Sequence, residues 1–177
     1  MTKLSMHGIT APVFTSRLKS LSSILSKAEQ QAKAKSYDAA VLLNDRLAPD
    51  MFNLIRQVQI ATDQAKGCMA RLAGHAPEAI EDTETTFADL QSRIAKVIGI
   101  VEGYTEAQLE GSETRDVTVK IPDSELKFKG LDYALGWAMP NFYFHITMAY
   151  AILRHNGVAL GKGDYIGVRD FAELGAE

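Results

Sequence analysis

Between Trp137 and Gly157 the chain reads Trp-Ala-Met-Pro-Asn-Phe-Tyr-Phe-His-Ile-Thr-Met-Ala-Tyr-Ala-Ile-Leu-Arg-His-Asn-Gly, and no other stretch limits the fold so strongly. From Pro140 to Gly157 nearly every position is apolar or aromatic, with His145, Thr147, Arg154 and His155 as polar interruptions. Pro140 suits a first helical turn because its missing N–H would have no partner there, and Gly157 suits a helix end because it reaches the left-handed conformation freely. The stretch therefore reads as one helix. A helix that is apolar all round has to be enclosed by other elements, so the rest of the chain is expected to wrap it.

Three further helices are legible as apolar stripes recurring every three or four residues. Phe14, Leu18, Leu21, Leu25, Ala28 and Ala32 form the first, running from Thr10 or from further upstream with a bend at Pro12. A short turn over Ala39–Asn44 follows. Met51, Leu54, Ile55, Val58, Ala61, Ala65, Met69 and Leu72 form the second, with Asp50 as the expected N-cap and Gly74 and Pro77 just past its end. Phe87, Leu90, Ile94, Val97, Val101 and Tyr104 form the third, opened by Thr86 with an acid, Asp89, three residues on.

The period then changes to two. Asp116–Ile121 and Leu126–Lys129 alternate polar and apolar residues around Pro122-Asp123-Ser124, which predicts a β-hairpin. An isolated hairpin is marginal, so Val117, Val119, Ile121, Leu126 and Phe128 should rest on the bundle or on a second subunit. Gly130 leads into a turn over Leu131–Trp137, and a glycine-rich stretch, Gly161–Gly167, precedes a tail from Val168 to Glu177. The expected architecture is all-α: a single domain over residues 1–177, a four-helix bundle with a small β-hairpin between its third and fourth long helices.

Charge and cysteine usage narrow the function classes. With 19 basic and 22 acidic residues, a net charge of −3 and no clustered Lys/Arg, the electrostatic footprint of a nucleic-acid binder is missing. A lone cysteine, Cys68, has no partner for an internal disulfide and reads as a small core residue of a reducing compartment. The N-terminus lacks the succession of a signal peptide, and no apolar run approaches the ~20 residues of a membrane span, so a cytoplasmic protein without a membrane partner is expected.

His145 is the first candidate for chemistry, since histidine is the usual general base and metal ligand near neutral pH. His155 is ten residues further on, about 15 Å along the axis and turned by roughly 80°, so one ion cannot bind both. Helical metal pairs need histidines three or four apart, and Ala149 and Ala151 stand where the partners of His145 and His155 would be. A site in which Asp50 or Asp63 assists His145 stays open, as does a structural reading with His145 hydrogen-bonded to backbone or to Gln57 or Gln59. Gly161-Lys162-Gly163 offers N–H groups and a charge to an anion, but it follows a helix rather than a strand.

Pro140-Asn-Phe-Tyr-Phe-His145, Ala149 to Gly157 and Gly161-Lys162, together with Arg46-Leu-Ala-Pro-Asp-Met51 and Arg56-Gln-Val-Gln59, resemble an uncharacterised branch of the DinB/YfiT-like superfamily over most of the chain. The resemblance implies a four-helix bundle in an unusual arrangement, frequent homodimerisation and, in many members, a divalent metal held by three histidines. It also implies, for some relatives, thiol-dependent S-transferase or isomerase activity. Two of those histidines come from a His-x-x-x-His on the last long helix and one from the second helix. Here Ala149 and Ala151 interrupt the first motif and the second helix has no histidine, so no metal or cofactor is expected. Two functions follow as expectations. One is a homodimeric scaffold or interaction protein. The alternative is a small-ligand binder or enzyme with its pocket around His145, lined by Asp50, Gln57, Asn141 and Tyr150.

Overall fold

A computed structural model describes residues 4–167 of the chain. The expected tail from Val168 onward lies outside the described residues. Four long helices carry the structure: α1 (Met6–Ala34), α3 (Leu54–Leu72), α4 (Phe87–Glu102) and α7 (Met139–His155). Short helices α2 (Ala40–Asn44), α5 (Glu106–Leu109), α6 (Gly130–Tyr133) and α8 (Lys162–Ile166) lie between or after them. Strands β1 (Asp116–Ile121) and β2 (Ser124–Lys129) form the hairpin, with Val117 opposite Phe128 and Val119 opposite Leu126. Helix α3 packs against α7 on one flank and α4 on the other, while α1 packs mainly on α4 and more thinly on α7.

The helix starts follow local chemistry. Thr86 and Asp89 exchange side-chain and backbone bonds in a full capping box at α4. Ser5 caps α1 by accepting from the Gly8 N–H, so the helix begins upstream of Thr10 and carries Pro12 inside. The cap of α3 is Asn53, not Asp50: its side chain accepts from the Arg56 N–H at 3.0 Å. Asp50 instead falls in a turn closed by the Met51 N–H on the Ala48 carbonyl.

The last long helix departs most from expectation. It does not start at Pro140. Gly130 to His155 is helical throughout, with one wide π turn over Ala134–Ala138 closed by the Met139 N–H on the Ala134 carbonyl. The buried residues Ala134, Ala138 and Phe142 are spaced by four twice in succession. In an uninterrupted α-helix two such steps would drift roughly 80° off the stripe, and the wider turn absorbs that drift. Nor is the helix enclosed on all sides. His145, Ile146, Ala149, Ile152 and Leu153 continue the buried face, whereas Leu135 and Phe144 are each about half exposed. The hairpin rests on the bundle through Val117 and Val119 and through Phe128 against Tyr133 and Trp137, but Ile121 points outward.

The connection from α3 to α4 is held by Arg93, buried on α4. Its guanidinium donates to Thr62 Oγ1 at 2.7 Å, to Asp63 at 2.9 Å, and to the Glu81 carbonyl and Glu84 carboxylate at 3.1 and 3.0 Å. Lys66 donates to the Glu78 carbonyl at 2.7 Å and pairs with Asp63 at 3.0 Å. Removing one member of a buried ionic cluster costs about 3–5 kcal/mol because it strands the others. The loop is thereby tied to both helices.

Candidate functional site

Gln57 occupies a stripe position of α3, between Leu54 and Ala61, and is 1% exposed; His145 faces it from α7 and is 8% exposed. Gln57 Nε2 donates to the Phe52 carbonyl at 3.0 Å, which fixes the amide so that its oxygen meets His145 Nδ1 at 2.7 Å. An amide oxygen only accepts, so Nδ1 carries the imidazole proton and Nε2 presents a lone pair. Burial, and secondarily the nearby Arg56 guanidinium, lower the imidazole pKa to about 4. At neutral pH the ring is uncharged.

One aromatic ring touches His145, and a second residue, Phe52, meets Gln57 through its backbone. Phe144 lies edge-on to the His145 ring at 5.2 Å, and Phe52, whose carbonyl receives the Gln57 amide, is 54% exposed. Arg56 sits 5.9 Å from the Phe52 ring centroid, hydrogen-bonds Gln59 at 3.2 Å and pairs with Asp82. Gln59 in turn donates to Glu84 at 2.8 Å. The surroundings of His145 therefore connect, side chain by side chain, with the Arg93 cluster.

Of the residues expected around His145, Gln57 is the one hydrogen-bonded to it. Asp50 is exposed in its turn, and Asp63 is taken up by Arg93 and Lys66. Asn141 turns its amide to the Trp137 carbonyl at 2.7 Å, and the Tyr150 ring meets Tyr165 of α8 at 5.8 Å. Gln57 and Gln59 are both buried. Sequence reasoning passed over Arg93 and Arg17, although both stand at stripe positions: Arg93 between Leu90 and Val97, Arg17 between Phe14 and Leu21. A charged residue in register with an apolar stripe was the available signal.

The donor set around His145 does not fit the three-histidine metal centre that the bundle type implies. Gln57 accepts from Nδ1, an outer bond that a ligating histidine commonly makes, so His145 Nε2 could be one donor; but among the described residues no three His, Cys, Asp or Glu side chains are grouped to hold an ion. His75 bonds the Ala76 carbonyl and the Tyr104 hydroxyl, and stacks on the Tyr104 ring; His7 bonds the Tyr104 carbonyl. His155 is exposed at the end of α7. Cys68 is buried and its thiol is pushed up to about 12 by that burial, which makes it inert. At the glycine-rich stretch, the Gly161 N–H is already taken by Asp164 at 2.8 Å. Among the described residues no helix is long and apolar enough to cross a membrane.

Four long helices, a hairpin inserted before the last of them and one buried histidine facing the second define a DinB-like helical-bundle protein. The chain belongs to the family described as a domain of unknown function (DUF1993), whose model matches residues 6–166. It is similar to a solved DinB family member protein from Shewanella denitrificans, at 47% identity over 91% of each chain and a TM-score of 0.82. No curated protein matches it.

The depressed pKa of His145 makes stability depend on pH in a definite direction. The unfolded chain, with histidine near 6.5, binds a proton that the folded chain refuses until about pH 4. The stabilisation is complete above pH 6.5 and is lost as pH falls toward 4, by about 2 kcal/mol once solvent screening at the ring edge is discounted. Urea unfolding at pH 7 and pH 4.5 should show this loss in the wild type and not in His145→Phe. Equal pH dependence in both proteins would contradict the assignment.

Proposed function

We propose that the protein is a homodimeric scaffold or interaction protein whose subunit contact is the outward face of the helical run α6, π turn and α7. One observation carries the reading. Leu131, Leu135 and Phe144 on that run are 40%, 50% and 51% exposed, and Phe52, just ahead of α3, is 54% exposed. Scattered exposed apolar residues are ordinary, but three large ones on the outward side of one helical run suit a covered surface. The resemblance to DinB-like proteins, many of which dimerise, supports a second copy as the cover. The buried His145–Gln57 pair is then structural.

Sedimentation analysis at tens of micromolar should find the wild type at twice the 19.4 kDa chain mass and Leu135→Asp/Phe144→Asp at the monomer mass. Both residues are exposed within the chain, so the variant should keep wild-type circular dichroism. A monomeric wild type rejects the reading.

A second reading rests on the lone pair of His145 Nε2. A neutral imidazole with one nitrogen anchored and the other uncommitted is arranged as a general base or hydrogen-bond acceptor toward a small ligand. A thermal-shift screen of low-molecular-weight thiols and small carboxylic acids tests it. Stabilisation of the wild type by about 2 °C or more, lost in His145→Ala, is the expected result. A protein that responds to none of them leaves the scaffold.

A further inference from the structure

A separate concavity lies between the start of α1 and the segment around α5. It encloses about 620 Å³ and shares no lining residue with the His145–Gln57 pair. Cavities that take drug-sized molecules run from about 300 to 1,000 Å³ and are mainly apolar with a few polar groups. Its apolar lining is Leu4, Met6, Ile9, Leu109 and Leu131, of which Leu4 is largely exposed. It touches the proposed subunit contact only through Leu131.

Its polar wall has one character. Glu106, Glu110 and Glu113 line it, and among the described residues no Lys or Arg does. Among the described residues none of the three carboxylates is in an ion pair or a side-chain hydrogen bond. The fourth group, His7, has Nε2 at 3.0 Å from the Tyr104 carbonyl. A carbonyl only accepts, so Nε2 carries a proton there. The N-terminus of α1 contributes a positive field, but it amounts to about half a charge against three carboxylates. Among the described residues the field favours a cation.

We propose that this cleft binds an organic cation with an apolar body: the hydrocarbon part covers the leucine, isoleucine and methionine lining, and a protonated amine meets the glutamates. The apolar lining supplies the larger part of the affinity and the rim supplies the choice of sign. A fatty acid or another carboxylate of the same shape would meet like charge on three sides. A bare metal cation would leave the apolar lining unused.

Three probes with one body and three charges test this: 4-phenylbutylammonium, 4-phenylbutanol and 4-phenylbutyrate, each titrated into the whole ¹⁵N-labelled protein while amide shifts are followed. The ammonium should shift the amides of residues 5–9 and 106–113 saturably, the alcohol should bind about tenfold more weakly, and the carboxylate should not saturate. Glu106→Gln/Glu110→Gln/Glu113→Gln should bring the ammonium down to the affinity of the alcohol and leave the alcohol unchanged, which also shows that the cleft is still folded. Equal binding of ammonium and carboxylate would overturn the proposal. So would an unchanged ammonium affinity in the triple variant, or no saturable shift at these residues with any probe.

Discussion

Helix α3 is flanked on two sides, and on each side it carries a polar side chain to a place where water cannot satisfy it. Toward α7 the group is Gln57, met by His145; toward α4 it is Thr62, met by Arg93, with Asp63 beside it. An unpaired buried polar group costs about 1–3 kcal/mol, and a buried charge more, so each pairing admits few alternative registers between neighbouring helices. The apolar stripe around Leu54, Val58, Ala61 and Ala65 supplies the bulk of the burial. Hydrophobic contact is non-directional, whereas the Gln57 and Arg93 bonds are not, so the polar pairs fix where the apolar surfaces meet.

The same constraint shapes what α7 shows to the outside. Once His145 must face Gln57, its neighbour Phe144 is turned away from the core, and the π turn upstream keeps Ala134 and Ala138 inside while Leu135 faces out. Pro140 follows directly after the wide turn, where the widened helix accommodates a residue that lacks an N–H. The outer face is thus a consequence of the inner one. Its apolar character is a separate property of Leu131, Leu135 and Phe144.

Much of this was readable in advance, and the misses have physical causes. The stripe of α4 and its Thr86 cap follow from spacing and residue type, and Phe87, Leu90, Ile94, Val97 and Val101 are all buried as their period requires. The cap of α3 was misplaced because Asp50 and Asn53 are both capping residues three positions apart; the turn at Ala48–Met51 decides for Asn53. Enclosure of α7 was overestimated because an apolar face reads the same whether its own chain or another covers it. The π turn left no trace, since an all-apolar run has no polar phase to reveal a shift. Of the residues expected around His145, Gln57 was within reach of spacing alone, while Asp50, Asn141 and Tyr150 depended on loop course and rotamer, which the one-dimensional pattern does not carry.

Around His145 the amide of Gln57 binds one imidazole nitrogen, and the account turns on which nitrogen that is. Long-range ¹H–¹⁵N correlation of the histidine side chains at pH 7, with His145 assigned by its absence in His145→Phe, reads this directly. The account predicts a neutral ring with a protonated, slowly exchanging Nδ1 and a bare Nε2. A ring protonated at Nε2 alone, or an imidazolium at that pH, would contradict it.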